Sequence, residues 1–251
     1  MDLAAALLNV GVSPNDWIVI HGDAGVAAQF RHIEPKRRLP LLFEQLLEFV
    51  DGGTLLVPAF SYSFTKNEDF DVSGTPSDVG LFSEAFRRLP GVARTNHPIF
   101  SFSVNGPGAD AVFNARLDDC FGEGTVFDLI YKNNAKIIFL GSDFSRATFV
   151  HYVEERHGVK YRYPKKFSGY LIENGTKRFQ ETNYFVRDLS IASSCDLKRM
   201  KVMAVDAGKL CSSYIGRFSI MSISASDFFD LASELLNEDE YSLIEEGVLQ
   251  S

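Results

Sequence analysis

Cysteine is scarce: Cys120, Cys195 and Cys211 are the three in 251 residues. They are odd in number, widely spaced, and form no CxxC pair or Cys/His cluster with zinc-ligand spacing. No metal is expected, and no disulfide, which suits a reducing compartment. Basic residues are the minority charge, 25 Lys and Arg against 33 Asp and Glu, a net charge of −8. General coating of nucleic acid is excluded, because it needs a basic surface. No apolar run is long enough to span a bilayer. The opening MDLAAALLNVGVSPNDW lacks the basic segment of a signal peptide. The expectation is a cytoplasmic protein with no membrane partner. GxGxxG, P-loop and GxSxG motifs are absent as well, as are internal repeats and Pro- or Ser-rich linkers.

What is present is an ordinary globular composition, 45% hydrophobic and 23% charged, in a chain long enough to bury a sizeable core. Trp17–His21, Thr54–Val57 and Lys136–Leu140 are short apolar runs of the kind that form buried strands. Helical spacing of apolar residues predicts helices over 2–10, 39–50, 78–89, 126–132, 196–207 and 226–236. A loop with three basic residues is expected near Pro35, a long loop over 61–77, and a loop then a helix over 142–158. After about residue 160 the texture changes to strands, with Asn174-Gly175 as a hairpin turn. The expected fold is α/β, a central mixed sheet flanked by helices with an additional β-rich part, in one domain over 1–251.

Three strands end in loops of small polar residues: His21-Gly22-Asp23, Pro58-Ala59-Phe60-Ser61 and Gly141-Ser142-Asp143. Ligands of open α/β sheets bind beyond the carboxyl ends of strands. One such loop is an ordinary turn; three together favour a shared cleft. On a helix, Thr148, His151 and Glu155 fall on one face. A carboxylate there can orient the imidazole and leave its other nitrogen as a base, although an ordinary surface His/Glu pair has the same spacing. Arg94 and His97, before Pro98, can face an anion or simply furnish a polar loop. The Tyr161–Lys166 cluster is basic and aromatic, suited to a nucleotide or sugar, or to solvent.

Taken in order, several segments resemble the aminoglycoside 3-N-acetyltransferase, or antibiotic N-acetyltransferase, family. They are Ile18–His21, Asp51–Tyr62, Val79–Arg87, Pro90–Arg94, His97-Pro98, Ser101-Phe102, Gly106-Pro107, Ala109, and Leu140-Gly141 followed by Thr148, His151 and Glu154. The block from the helix to His97-Pro98 and Gly106-Pro107 is the most specific part.

The resemblance implies acetyl-CoA as co-substrate, a primary amine on a sugar as acceptor, and direct transfer without an acyl-enzyme. It implies His151 as general base, in a T-x-x-H-x-x-E motif with Thr148 and Glu154. It places His21, Asp23 and Ser61 beside the donor, and Arg94, His97 and Ser101 along the CoA channel. Tyr62, Asp143 and Glu155 are the corresponding acceptor-binding candidates. Asp188 or Glu181 is the expected partner orienting His151.

The chain departs from the family pattern in having Gly22-Asp23 after the first His, and Asp118–Thr125 before the middle helix. An aminoglycoside and a nucleotide-linked amino-sugar of surface-polysaccharide synthesis both stay open as acceptors. In the second case Arg162, Lys165 and Lys166 are candidates for its phosphates. Two rival readings are a non-catalytic acyl-CoA-binding protein of the same fold, and a hydrolase or lyase using His151 and Asp143. A homodimer through one of the apolar helices is open too.

Overall fold

The computed structural model describes residues 2–245. Asp2 caps the first helix, α1 (Leu3–Asn9), by accepting from the Ala5 amide. There follow β1 (Trp17–Gly22), α2 (Pro35–Phe49), β2 (Thr54–Pro58), β3 (Phe70–Asp71), α3 (Leu81–Phe86), β4 (Ala93–Arg94), β5 (Phe102–Asn105) and α4 (Ala109–Phe113). The middle of the chain forms α5 (Val126–Lys132), β6 (Lys136–Leu140) and α6 (Val150–His157). The remainder is β7 (Arg162–Glu173), β8 (Thr176–Arg187), α7 (Lys198–Asp206), β9 (Cys211–Ile215), β10 (Phe218–Ser224) and α8 (Ala225–Glu238).

Seven strands form one mixed sheet in the order β4-β5-β2-β1-β6-β10-β9. The central β2, β1 and β6 are parallel, and the other neighbours are antiparallel. Parallel pairing puts the carboxyl ends of β1, β2 and β6 at one edge, as the three polar loops led one to expect. Alternation along these strands divides the core. Ile18, Ile20, Leu55, Val57, Ile138 and Leu140 pack with α1, α2 and α3 on one face. Val19, Leu56, Ile137 and Phe139 pack on the other, with α5, α6 and α8.

The β-rich part is a second sheet, β3-β7-β8. Its two 12-residue strands make one continuous hairpin, closed at Asn174-Gly175 with φ of 50° and 76°. Two positive φ values are what a tight two-residue hairpin turn requires. Asn183 ties the hairpin to the 118–120 loop: its carbonyl accepts from Cys120 N at 3.0 Å, and its amide donates to Asp118 O at 2.9 Å.

Differences from the expected elements are local. α2 starts at Pro35, so Lys36, Arg37 and Arg38 lie in its first turn rather than in a loop. Proline suits that position because its missing N–H is one the helix would leave unpaired. The helix expected over 78–89 shrinks to Leu81–Phe86, since Gly80 enters it at φ 105°. Cys211–Ile215 and Phe218–Ser224 form a hairpin, β9 and β10, that turns at Gly216. Two short elements, β3 and α4, carry too few residues to show a period. Among the described residues no helix is long and apolar enough to cross a membrane.

At the opposite edge of the sheet, the backbone near Gly106 is crowded. Gly106 has φ 120°, and a Cβ there would overlap the Gly53 carbonyl and the Thr54 backbone. Neither obstacle is a movable side chain. Gly106→Ala is expected to destabilise the fold by about 1–3 kcal/mol, read as a lower denaturant midpoint with an unchanged slope.

Candidate active site

The site grows from the start of α6. Asp143 accepts from the Ser145 amide at 2.9 Å and caps a single 3-10 turn, Phe144–Arg146. The chain then enters α6, whose second residue is His151. Glu154 lies one turn on, fully buried, with Oε2 2.7 Å from His151 Nδ1. Tyr161 donates its hydroxyl to Glu154 Oε1 at 2.9 Å. Arg162, the first residue of β7, places Nε 2.7 Å from Glu154 Oε2 and Nη2 2.9 Å from His151 Nδ1. Its Nη1 donates to the Phe185 carbonyl on β8 at 3.2 Å. One buried carboxylate thus gathers a histidine, a tyrosine and an arginine from two elements. That is the company a buried charge requires.

Nδ1 holds one proton or one lone pair, so it cannot serve both neighbours at once. Donating to the carboxylate is the shorter, charge-assisted bond. With the proton on Nδ1, the unpartnered Nε2 keeps a lone pair. Burial lowers the His151 pKa most, the Arg162 charge lowers it further, and Glu154 opposes both. The ring is therefore neutral at pH 7. Phe121 packs edge-on to it, with centroids 5.7 Å apart.

His151 opens on a cleft of about 580 Å³, lined also by Tyr62, Arg162, Tyr163, Lys165, Tyr184 and Arg187 among others. Tyr62 is held at φ 53°, which is costly for a bulky side chain. Thr65 Oγ1 pins it by donating to the Tyr62 carbonyl at 2.7 Å. A second, very small apolar cavity lies at the strand ends, lined by His21, Pro58, Phe60, Thr148 and Phe149 among others. Burial holds His21 neutral, with its pKa lowered to about 4. Thr148 precedes His151 by three residues, so the two cavities meet the start of α6 from either side.

The structure thus brings together His151, Glu154 and Tyr62 at one opening, and His21 and Thr148 at another. Other candidates go elsewhere. Asp23 and Asp143 are exposed caps of 3-10 turns; Asp23 accepts from the Gly25 amide at 2.7 Å. Ser61 is buried, donating to the Pro98 carbonyl.

Arg94, His97 and Ser101 form an internal latch in place of a channel wall. Arg94 donates to Ser101 Oγ and to the carbonyls of Ala59 and Thr75, and covers the Phe70 ring. Ser101 donates to Ala59 O at 2.7 Å. His97 Nδ1 accepts from the Ile99 and Phe100 amides, with Nε2 3.2 Å from the Asp119 carbonyl; burial lowers its pKa to about 4.

Glu155 points away from the cleft toward Asp119 and Gly122. Burial and the Asp119 charge raise its pKa to about 7. Asp188 caps its own turn at Ser190, and Glu181 pairs with Lys166; neither orients His151, a task that Glu154 performs. Lys166 is thereby outside the cleft.

Sequence reasoning placed Arg162 among phosphate ligands and missed its contacts with the dyad. Phe121 and Tyr184 were missed altogether; no local spacing marks them, because they reach the site from a loop and from the far strand of the hairpin. Among the described residues no three His, Cys, Asp or Glu side chains are grouped to hold a metal.

Comparison with known proteins bears on this arrangement. Over 169 residues the chain is 31% identical to aminoglycoside N(3)-acetyltransferase IV of Salmonella sp., covering 65% of this chain and 61% of that protein. It is 30% identical over 101 residues to the aminoglycoside N(3')-acetyltransferase-like protein YokD of Bacillus subtilis, covering 34% of that protein. The matched segments thus span less than two thirds of either relative. In fold, the apoenzyme of aminoglycoside acetyltransferase AAC(3)-IVa superposes with a TM-score of 0.78 at 23% identity, over 97% of this chain and 90% of that one. The complex of AAC-IIIb with CoASH gives 0.77 at 19% identity, over 94% and 95%. The aminoglycoside 3-N-acetyltransferase family model matches residues 28–237, most of the sequence, and the chain belongs to that family.

Proposed function

We propose that the protein is a cytoplasmic N-acetyltransferase that moves the acetyl group of acetyl-CoA directly to a primary amine of an amino-sugar, with His151 as general base. The observation that carries this reading is the His151–Glu154 contact of 2.7 Å at the mouth of a cleft. Family membership supports the reaction class, and the relative that superposes as a CoASH complex supports the donor. The acceptor is an amine either on an aminoglycoside, as the relatives' names suggest, or on a nucleotide-linked sugar.

The chemistry follows from the proton positions. An alkyl ammonium must lose its proton before nitrogen can attack a thioester carbonyl. That first proton passes to solvent, and Nε2 of neutral His151 accepts a second proton, from the attacking nitrogen, as the C–N bond forms. The tetrahedral intermediate collapses by breaking the C–S bond, and CoA leaves as thiolate, with the proton on His151 available to it. Glu154 stabilises the imidazolium through Nδ1–H.

Arg162 limits that stabilisation in the resting enzyme. Burial is the main cause that keeps the ring neutral, and the arginine, shared by the same Oε2, adds to it by offsetting the carboxylate charge. Thr148 stands at the donor side beside His21, where the thioester would lie.

Removing the base gives the first test. His151→Ala is expected to keep the fold and lose about 10²–10⁴-fold in kcat, measured as thiol release from acetyl-CoA with amines of both acceptor classes. Unchanged turnover would refute the assignment. Acetyl-CoA binding with no transfer by the wild type to any amine would support the non-catalytic acyl-CoA-binding reading.

The second test is a pH profile. A depressed His151 pKa leaves the base active above that value and lost as pH falls through it, so its acidic limb lies below pH 6.5. Arg162→Gln removes the positive charge and should move that limb to higher pH for the same amine. A limb that stays in place would show that Arg162 does not set the base.

A further inference from the structure

We infer that the amino-sugar acceptor carries a phosphate, held in the His151 cleft by Lys165 and Arg187. This deepens the acetyltransferase reading and rests on it.

The cleft lining contains three cations, Arg162, Lys165 and Arg187, and no carboxylate. Arg162 is already neutralised by Glu154. Neither Lys165 nor Arg187 has a carboxylate within ion-pair distance among the described residues. On the same hairpin, outside the cleft, Lys166 pairs with Glu181 at 3.4 Å and Lys177 with Asp69 at 2.7 Å. The hairpin therefore pairs those two lysines and leaves the two cations facing the cleft open.

The register sharpens the point. Arg187 sits directly opposite Arg162 across β7 and β8. Like charges directly opposite destabilise a strand pair. One is compensated by Glu154; the other awaits an anion. Arg187 Nη1 donates to Ser194 Oγ at 2.9 Å, which holds the guanidinium in place. Lys165 stands opposite Tyr184, with its ammonium 5.1 Å from the Phe167 ring centroid.

The aromatic residues suggest what accompanies the phosphate. Tyr163, Lys165 and Phe167 share one face of β7 and line the cleft, while Arg187, on the other face with Arg162, reaches the same cleft at the open end of the hairpin. Flat rings interleaved with cations are a surface on which a nucleobase stacks while its phosphates meet the charges. A polycationic acceptor would bring ammonium groups toward two uncompensated cations, which like-charge repulsion opposes. The shared chemistry is a phosphate, whether in a sugar phosphate or in a nucleoside-diphosphate-linked amino-sugar.

The test compares four acceptors under saturating acetyl-CoA: a nucleoside-diphosphate-linked amino-hexose, the amino-hexose phosphate, the free amino-hexose and an aminoglycoside. Either phosphate-bearing acceptor should have a KM lower than the free amino-hexose by about tenfold or more. Preference for the nucleoside-linked form over the simple phosphate identifies stacking; equal preference identifies the phosphate alone. Lys165→Glu with Arg187→Glu should raise the KM of the phosphate-bearing acceptor about tenfold or more, rather than the KM of acetyl-CoA. Both residues are exposed, and circular dichroism checks that the variant folds.

A rise confined to the acetyl-CoA KM would assign the cations to the donor and overturn the inference. So would preference for the aminoglycoside or the free amino-hexose. Should no acceptor react at all, the acetyltransferase reading fails, and the cleft is tested by itself. Uridine diphosphate is then titrated calorimetrically into protein saturated with CoA. Binding that the double variant weakens supports an anion site; absence of binding, or binding that the variant leaves unchanged, overturns it.

Discussion

The carboxylate of Glu154 is the constraint on which the rest of the site depends. A buried carboxylate without partners costs several kcal/mol, so its surroundings must supply donors from more than one element. Here hydrogen bonds come from His151 of its own helix and from Tyr161, the residue before β7, and an ion pair comes from Arg162 of β7 itself. Satisfying one charge therefore fixes the angle at which the β7–β8 hairpin meets α6. The cleft between them exists because that junction is rigid at its base and opens outward along the strands. The His151–Glu154 pair and the cleft wall beside it are consequences of the same burial.

The central sheet performs a different task. Its parallel strands bring the ends of β1 and β2 beside the start of α6, where Thr148 and His21 share a cavity wall. Hydrophobic alternation holds this arrangement from both faces, and the polar latch of Arg94, Ser101 and His97 secures the loops behind it. That latch requires buried polar residues as strictly as a ligand site would. Its buried backbone carbonyls at Ala59 and Thr75 need donors, and Arg94 provides them.

This explains which features were legible in the sequence. Strands β1, β2 and β6, most of the helices and the Asn174-Gly175 turn all announce themselves through local pattern. His151 stands out because it shares a helix face with Thr148 and Glu155, while Glu154 is marked only by the family's T-x-x-H-x-x-E motif. Arg94, His97 and Ser101 look functional from sequence because polar residues in a motif carry no mark of what they bind. Only the fold shows that their partners are carbonyls and amides of neighbouring loops, many residues away along the chain. Arg162 has the converse history. Its sequence neighbours are aromatic and basic, which suggests an exposed patch, while its position at the first residue of a strand turns it inward to α6. A register of one residue separates it from Tyr163, which faces the cleft.

Net charge was equally silent about place. An excess of eight acidic charges permits a polycationic ligand somewhere on the surface. Electrostatic attraction at a reacting centre, however, is set by the charges within about a Debye length, roughly 8–10 Å. The cleft lining itself holds Arg162, compensated by Glu154, and the open cations of the hairpin. Acidic residues close by, Asp119 and Glu155, are turned to the other side of α6, where burial first and then their mutual repulsion raise the Glu155 pKa. The charges that line the cleft are thus opposite in sign to the net charge of the chain. A fold shared with relatives named for aminoglycosides holds the His151–Glu154 pair, while the wall of the hairpin gives the cleft beside it its cations.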